Sequence, residues 1–271
     1  MISVDCIIFS KDRAAQLDLA IRSLRDNFNG YGNVIVLYRY SNDEYKKGYD
    51  IVRNTDYGLS IQYVEEKNLR IDALHYAYHA TAPYIMNFCD DDVFINKVDL
   101  SGINSVIDND THGISLKVSK AITYCYTSRN PNILPDFVYD DGKFISWKWA
   151  TRELYSDWGY PGCFNANIYQ KDYFLSIMKN VNFYSISTYE DGFLSQRDKF
   201  KTKIIGFCEA KVMNTPVNKV QTEVQNITGE QHYFSIEVLN NLFLQGKRIS
   251  TKNIYGIKCN SCNCEIDYRI E

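Results

Sequence analysis

Tyr84-Ile85-Met86-Asn87-Phe88-Cys89-Asp90-Asp91-Asp92 is the stretch on which the reading of this chain turns. A short apolar run follows Pro83 and stops at three carboxylates, the pattern of a buried strand whose carboxyl end carries charge. Three adjacent carboxylates repel one another, and in a cleft each also loses hydration. Such a turn needs either good solvation or a neutralising cation. In extended geometry Asp90 and Asp92 project to one side and Asp91 to the other. Two carboxylates on one side make a minimal site for a hard divalent ion that keeps water or phosphate oxygens as its other ligands. The competing reading is a solvated acidic turn that caps the next element.

Working outward, the residues before this stretch alternate strand and helix signals. Val4-Asp5-Cys6-Ile7-Ile8-Phe9 reads as a first strand, followed by a helix carrying Leu17, Ile21, Leu24 and Phe28 on one face. Asp12 is the expected N-cap of that helix, and Gly30 and Gly32 its end. Val34–Tyr38 and Leu59–Val64 read as further strands, and Leu69–Ala80 as a helix. Strands alternating with helices predict an α/β fold: a Rossmann-type, mostly parallel sheet flanked by helices. The later part is less regular, with helix signals at Asp172–Lys179, Gly192–Lys199 and Ser235–Leu244. No linker separates two units, so a single domain over 1–271 is expected. In sheets of this kind ligands bind beyond the carboxyl ends of the strands, where Ser10–Arg13 and Asp90–Asp92 stand.

Composition narrows the function classes. The 271 residues are 45% hydrophobic and 23% charged, the balance of a globular chain rather than a disordered or fibrous one. A net charge of −3 supplies no overall basic field to hold nucleic acid. The first residues, Met1-Ile2-Ser3-Val4-Asp5, lack the pattern of a targeting segment. The longest clean apolar run, Val34–Tyr38, is far too short to span a bilayer. A cytoplasmic protein with at most peripheral membrane association is expected, with reduced thiols. Cys6, Cys89, Cys125, Cys163 and Cys208 read as small core residues. Cys259, Cys262 and Cys264 cluster in a tail over 251–271, one ligand short of a structural zinc site; the alternative is a loose tail with incidental thiols.

Several residues have the chemistry of a site. Ser10 and Arg13 lie where a strand meets a helix N-terminus, which favours phosphate and polar nucleotide groups. Arg70 can add a forked cationic contact to a diphosphate; a surface ion pair is the plainer reading of either arginine. Trp147, Trp149, Trp158 and Tyr160 crowd one stretch, suited to stacking on sugar rings or to core packing. Gly159, Pro161 and Gly162 punctuate it as turns. His75 and His79 are four apart on one helix, but no Glu completes a metalloprotease pattern.

Together these pieces resemble a GT-A-type glycosyltransferase of the family-2-like nucleotide-sugar group. The resemblance is carried by Ile7-Ile8-Phe9-Ser10-Lys11-Asp12-Arg13, by Asn68-Leu69-Arg70-Ile71-Asp72-Ala73-Leu74, and by Asp90-Asp91-Asp92, which looks like an Asp-x-Asp motif. Tyr189-Glu190-Asp191 is similar to the acidic pair that supplies the base in inverting members. Asp157-Trp158-Gly159-Tyr160-Pro161 and Pro216-Val217-Asn218-Lys219-Val220-Gln221 look like stretches of small capsule- or surface-glycan transferases. The resemblance implies a nucleotide-binding half over 1–120 and an acceptor-side half over 121–250. It implies a nucleotide-sugar donor, a glycan or lipid-linked acceptor, and Mn²⁺ or Mg²⁺. Phe9, Ser10, Arg13, Asn68, Arg70, Asp90 and Asp91 would meet the donor, with Asp43 or a stacked Tyr40 at the base. Trp158, Gly159 and Tyr160 would meet sugar or acceptor. Asp90, Asp92 and a late histidine, His232, would hold the metal. Glu190 and Asp191 precede a helix-like stretch and are expected at its N-terminus, with Asp191 as the base and Glu190 holding the loop. The chain departs from the family pattern in having Leu69 where a Gly usually follows the Asn. A nucleotidyltransferase is a second reading, but Ser10-Lys11-Asp12-Arg13 lacks the Gly-rich loop it needs. A third is a non-catalytic carbohydrate- or nucleotide-binding module without metal.

Overall fold

Alternation along the first strand sets the layering. The computed structural model describes residues 2–153, 155–223 and 226–271. In β1 (Val4–Lys11), Cys6 and Ile8 face one core, while Ile7 and Phe9 face another. The period of two puts successive side chains on opposite faces, so a strand that is apolar throughout must be covered on both. β2 (Tyr31–Arg39) and β4 (Tyr84–Cys89) follow the same rule, and β3 (Ile61–Glu65) is a half-exposed edge strand. Three helices cross between them: α1 (Ala14–Asn27), α2 (Asp43–Asn54) and α3 (Leu69–His79). Leu17, Ile21 and Leu24 of α1 pack on one face of the sheet, and Leu69, Ala73 and Ala77 of α3 on the other.

The remaining strands are β5 (Asp92–Phe94), β6 (Thr111–Ser115), β7 (Tyr124–Cys125), β8 (Asn130–Pro131), β9 (Tyr139–Asp140), β10 (Phe144–Lys148), β11 (Asn167–Gln170), β12 (Lys203–Phe207) and β13 (Val212–Asn214). Helices α4 (Lys171–Met178), α5 (Ile186–Leu194) and α6 (Ile236–Leu244) complete the elements. Nine strands form one sheet in the order β3-β2-β1-β4-β11-β6-β12-β10-β9. β1 pairs parallel with both β2 and β4, and β2 with β3. β11 runs antiparallel between β4 and β6, so β4 and β6 point the same way. The mostly parallel α/β sheet is thus present, and β9–β12 from the less regular part extend it without a break. β13 pairs with β5 in a separate ribbon that brings Asn214 beside Asp92.

Four local expectations are corrected. Asp12 does not cap α1: it sits at φ +59°, and its carboxylate accepts hydrogen bonds from the Ser41 amide and hydroxyl at 2.6 and 2.7 Å. The short polar Asp side chain tolerates this left-handed conformation better than most residues. Gly32 lies inside β2 rather than at a helix end, because α1 stops at Asn27. The helix expected from Gly192 begins six residues earlier, where Ser185 and Thr188 form a reciprocal capping box. Gly192 therefore falls inside α5, against Val181: an added Cβ would lie 2.2 Å from Val181 Cγ1.

The cysteine tail is the fourth correction. Cys259 and Cys264 are joined by a disulfide, and Cys262 is buried apart from them, so the three thiols do not form a metal set. Nor is the tail loose. Ile254, Ile266 and Tyr268 are buried in the core beside α1 and α6, and Asn263 bridges to Asn214. No helix among the described residues is long and apolar enough to cross a membrane.

Candidate functional site

At the carboxyl edge of β1, β4 and β6 lies a cleft of about 610 Å³. Phe9, Ser10 and Arg13 line it from the end of β1, and Asp90 and Asp91 from the end of β4. The chain turns at Asp90 and Asp91 before β5 begins, so the three carboxylates do not alternate along one extended strand. Each takes a different direction.

Asp90 points inward. It is fully buried, and its Oδ1 lies 2.6 Å from Arg13 Nη2. The Ser10 hydroxyl donates to Oδ2 at 2.7 Å, with the Lys11 amide at 3.3 Å. Asp91 faces the cleft, taking Arg13 Nη1 at 2.9 Å on Oδ2 and the Asn214 amide at 3.0 Å on Oδ1. Asp92 is buried behind them; the Cys89 amide donates to it at 2.9 Å and Asn214 Nδ2 at 3.1 Å. Arg13 is a fork holding two carboxylates of the turn, a geometry that the planar guanidinium suits and a lysine does not.

Burial pushes Asp90 and Asp92 above the ordinary carboxylate range, while the charges of Arg13 and Lys117 respectively oppose the rise. Removing a carboxylate from water disfavours its ionised form, and a nearby like charge adds to the effect. The turn therefore holds negative charge under tension, which a bound cation relieves. Cys89, Asp91 and Asp92 place a thiol and two carboxylate oxygens within 4.8 Å of one another. A hard divalent cation prefers oxygen to sulfur, so of these three the two carboxylates are the candidate ligands. Two hard oxygen ligands, with phosphate and water filling the other positions, fit Mg²⁺ or Mn²⁺. Asp90 contributes no atom to this group, and its carboxylate is paired with Arg13. His232 does not join it either: its backbone amide donates to Glu265 at 2.7 Å, and the residue does not line the cleft.

Across the cleft stands Glu190 of α5. Its Oε1 accepts a hydrogen bond from the Phe164 amide at 3.2 Å, and burial pushes its pKa up to about 7. Asp191 is the next residue on the same helix, turned about 100° away, and it is exposed outside the cleft. Of the pair, Glu190 is the acid that lines the cleft. Neither sits at the helix N-terminus, since α5 begins at Ile186.

Other expected site residues lie elsewhere. Arg70 donates from Nε to the Val181 carbonyl at 2.8 Å and from Nη2 to Lys179 at 3.0 Å. It ties α3 to the end of α4 rather than reaching a diphosphate. Asn68 is the N-cap of α3, accepting from the Ile71 amide at 3.0 Å. Asp43 opens α2 beyond the cleft lining. Trp158 is fully buried against Trp147, and its indole N–H donates to the Ile122 carbonyl at 3.1 Å. Gly159 is required by packing, because a Cβ there would lie 2.1 Å from the Glu153 carbonyl oxygen. Of that stretch Tyr160 reaches the cleft, together with Tyr155.

Sequence reasoning passed over Lys117, Asn214 and Tyr126, which also line the cleft. Lys117 stands two residues past β6, the same strand-end position that drew attention to Ser10 and Asp90. Asn214 closes the far side of the acidic turn, and the Thr215 amide binds the Asp91 carbonyl at 2.8 Å. Pro216, Asn218 and Val220 continue that wall.

No family model matches the chain. It is similar to a glycosyltransferase: over 198 residues, 66% of its length, it is 26% identical to the bifunctional glycosyltransferase pgtA of Dictyostelium discoideum. The chain spans about a quarter of that relative's length. Among solved structures, S. aureus TarS 1-349 in complex with UDP-GlcNAc superposes over 86% of this chain and 62% of its own, at 12% identity and TM-score 0.49. The mannosyltransferase PcManGT from Pyrobaculum calidifontis, in complex with GDP-Man and Mn²⁺, covers 77% of this chain and 57% of its own, at 11% identity and TM-score 0.46.

Proposed function

We propose that the chain is a divalent-metal-dependent glycosyltransferase that moves a sugar from a nucleoside diphosphate donor to a glycan or lipid-linked acceptor hydroxyl, with inversion. The observation that carries this reading is one cleft at the carboxyl edge of a parallel sheet. There an acidic turn held by Arg13 faces a carboxylate, Glu190, whose pKa is near neutrality. The similarity to a glycosyltransferase over two thirds of the chain supports it.

Each residue then has a task. Ser10, Arg13 and Phe9 receive the nucleotide at the β1–α1 junction, where helix N-termini favour phosphate groups. Asp91 and Asp92 would hold Mn²⁺ or Mg²⁺, which when bound supplies charge stabilisation for the departing diphosphate. Glu190 takes the proton from the acceptor hydroxyl as that oxygen bonds to C1 of the sugar and the bond from C1 to the diphosphate breaks. A base with a pKa near 7 is well matched to this work at neutral pH. Protonated Glu190 cannot accept a proton, so kcat/KM is expected to fall as the pH drops through about 7.

Calorimetric titration with UDP, GDP, CDP and ADP, each with and without Mn²⁺, tests the assignment. Metal-enhanced binding of at least one nucleoside diphosphate is expected. Binding indifferent to metal would favour a non-catalytic nucleotide-binding module, and no binding at millimolar nucleotide would overturn the reading.

A further inference from the structure

Lys117 is a cation that no step above uses. Its position follows from topology: β6 points the same way as β4, so two residues past its end Lys117 emerges at the edge that carries Asp90 and Asp91. It is only 4% exposed, yet it lines the cleft. A lysine ammonium carries three donors and is almost never buried unless paired. Among the described residues its Nζ meets one hydrogen-bond acceptor, Asn263 Oδ1, at 3.4 Å, beyond the usual range for such bonds. A buried ammonium with most of its donor capacity unspent, open to a ligand cleft, is built to meet an oxygen that arrives with the ligand.

Its surroundings say which oxygen. Lys117 lines one cleft together with Asp91 of the acidic turn, with Asp157 and with Glu190. The sugar being transferred must lie between the acidic turn and the base, in that same cleft. Beside three carboxylates a further anion gains little, whereas a neutral hydroxyl or ring oxygen accepts the hydrogen bond without added repulsion. Resting on the transferase reading, we propose that Lys117 is a donor-binding residue that hydrogen-bonds an uncharged oxygen of the transferred sugar rather than the diphosphate.

The test compares free nucleotide with sugar nucleotide. Calorimetry would use UDP against UDP-glucose and GDP against GDP-mannose, for the wild type, Lys117→Met and Lys117→Arg, each checked for folding by thermal melt. Lys117→Met is expected to lose about 10- to 100-fold in affinity for the sugar nucleotide, the range for a lost charge-assisted hydrogen bond, while affinity for the nucleoside diphosphate stays within about twofold on that same account. Equal losses for both ligands would place Lys117 on the diphosphate, and no loss for either would make it structural; each result overturns the proposal. Should Lys117→Met fail to fold, deoxy analogues and a carba-ring analogue of the bound donor on the wild type read the same contact. Loss of one sugar oxygen must cost a comparable factor, and tight binding of every such analogue would contradict the proposal. A wild type that binds neither nucleotide nor sugar nucleotide removes the transferase reading and this inference with it.

Discussion

Buried acids at opposite ends of the parallel strands behave in opposite ways. Asp5, near the start of β1, is 1% exposed and accepts backbone hydrogen bonds from Thr81 at 2.6 Å, Asn33 at 2.7 Å and Ala82 at 3.1 Å. Burial alone would raise its pKa, but these donors outweigh it and hold the carboxyl below its ordinary value. Asp90 and Asp92, at the carboxyl edge, lie deeper, and there burial wins. The difference lies in depth and in the partners. Neutral amide donors satisfy one carboxylate and lock three chain segments together. A crowd of acids countered by two cations leaves a charged site that responds to whatever binds. The first arrangement is architecture, and the second is a place for chemistry.

The sharpest division should appear in turnover. Glu190→Gln is expected to lower kcat by about 10²–10⁴-fold, the range for removing a general base, with donor binding retained. Asp191→Asn, one residue on and exposed, should stay near the wild-type rate. Steady-state kinetics on both variants decide it, and an inactive Asp191→Asn beside an active Glu190→Gln would reverse the assignment.

Next in size is the acidic turn. Asp91→Asn should lose on the order of 10²–10³ in rate, comparable with deleting one stabiliser of developing charge, and should weaken the response of nucleotide binding to Mn²⁺. Because Asp91 is partly solvated, its melting temperature should hardly move. A variant with full activity and unchanged metal response would break the distinction drawn between the two edges.

Two arginines sharpen it further. Arg13→Ala should raise the donor KM by about ten- to a hundredfold, the value of a lost charge-assisted contact. Arg70→Ala should leave the donor KM unchanged, since its guanidinium serves the Lys179 and Val181 carbonyls. Its loss should show in the thermal melt instead.

The smallest effect on activity belongs to Asp5. Asp5→Ala strands buried amide donors, at a cost of about 1–3 kcal/mol for each group left unpaired, while the rate per folded molecule stays normal. The sign with pH follows from the lowered pKa. The stabilisation from ionised Asp5 is complete above the unfolded value of 3.8 and is lost as the pH falls through the lower folded value. In acid melts the gap between wild type and variant should narrow as the pH falls through that point, and a gap that widens there would contradict the role assigned to Asp5.

What the sequence reveals depends on how local the cause is. The period of two in β1, β2 and β4 and the apolar stripe of α1 are set by neighbours in the chain, so the parallel sheet and the gathering of Phe9, Ser10, Arg13, Asp90 and Asp91 at one edge could be read directly. The choice between Glu190 and Asp191 could not, because it depends on the phase of α5, which the Ser185–Thr188 box starts earlier than the pattern suggested. Arg70 and Trp158 have the right chemistry for a ligand and equally for the plainer readings, and their carbonyl partners in the fold are distant in sequence. Asn214 reaches Asp91 and Asp92 across more than 120 residues, a pairing that composition and spacing do not announce.

The central claim is that this edge of the sheet transfers a sugar. The most direct measurement is nucleoside diphosphate release from a panel of sugar nucleotides, run with Mn²⁺ and with EDTA, with pyrophosphate release from nucleoside triphosphates plus sugar phosphates followed alongside. The account predicts that at least one sugar nucleotide is consumed with stoichiometric release of its nucleoside diphosphate, that EDTA stops the reaction, and that no pyrophosphate forms. Pyrophosphate release from a triphosphate, or sugar-nucleotide turnover untouched by EDTA, would contradict it.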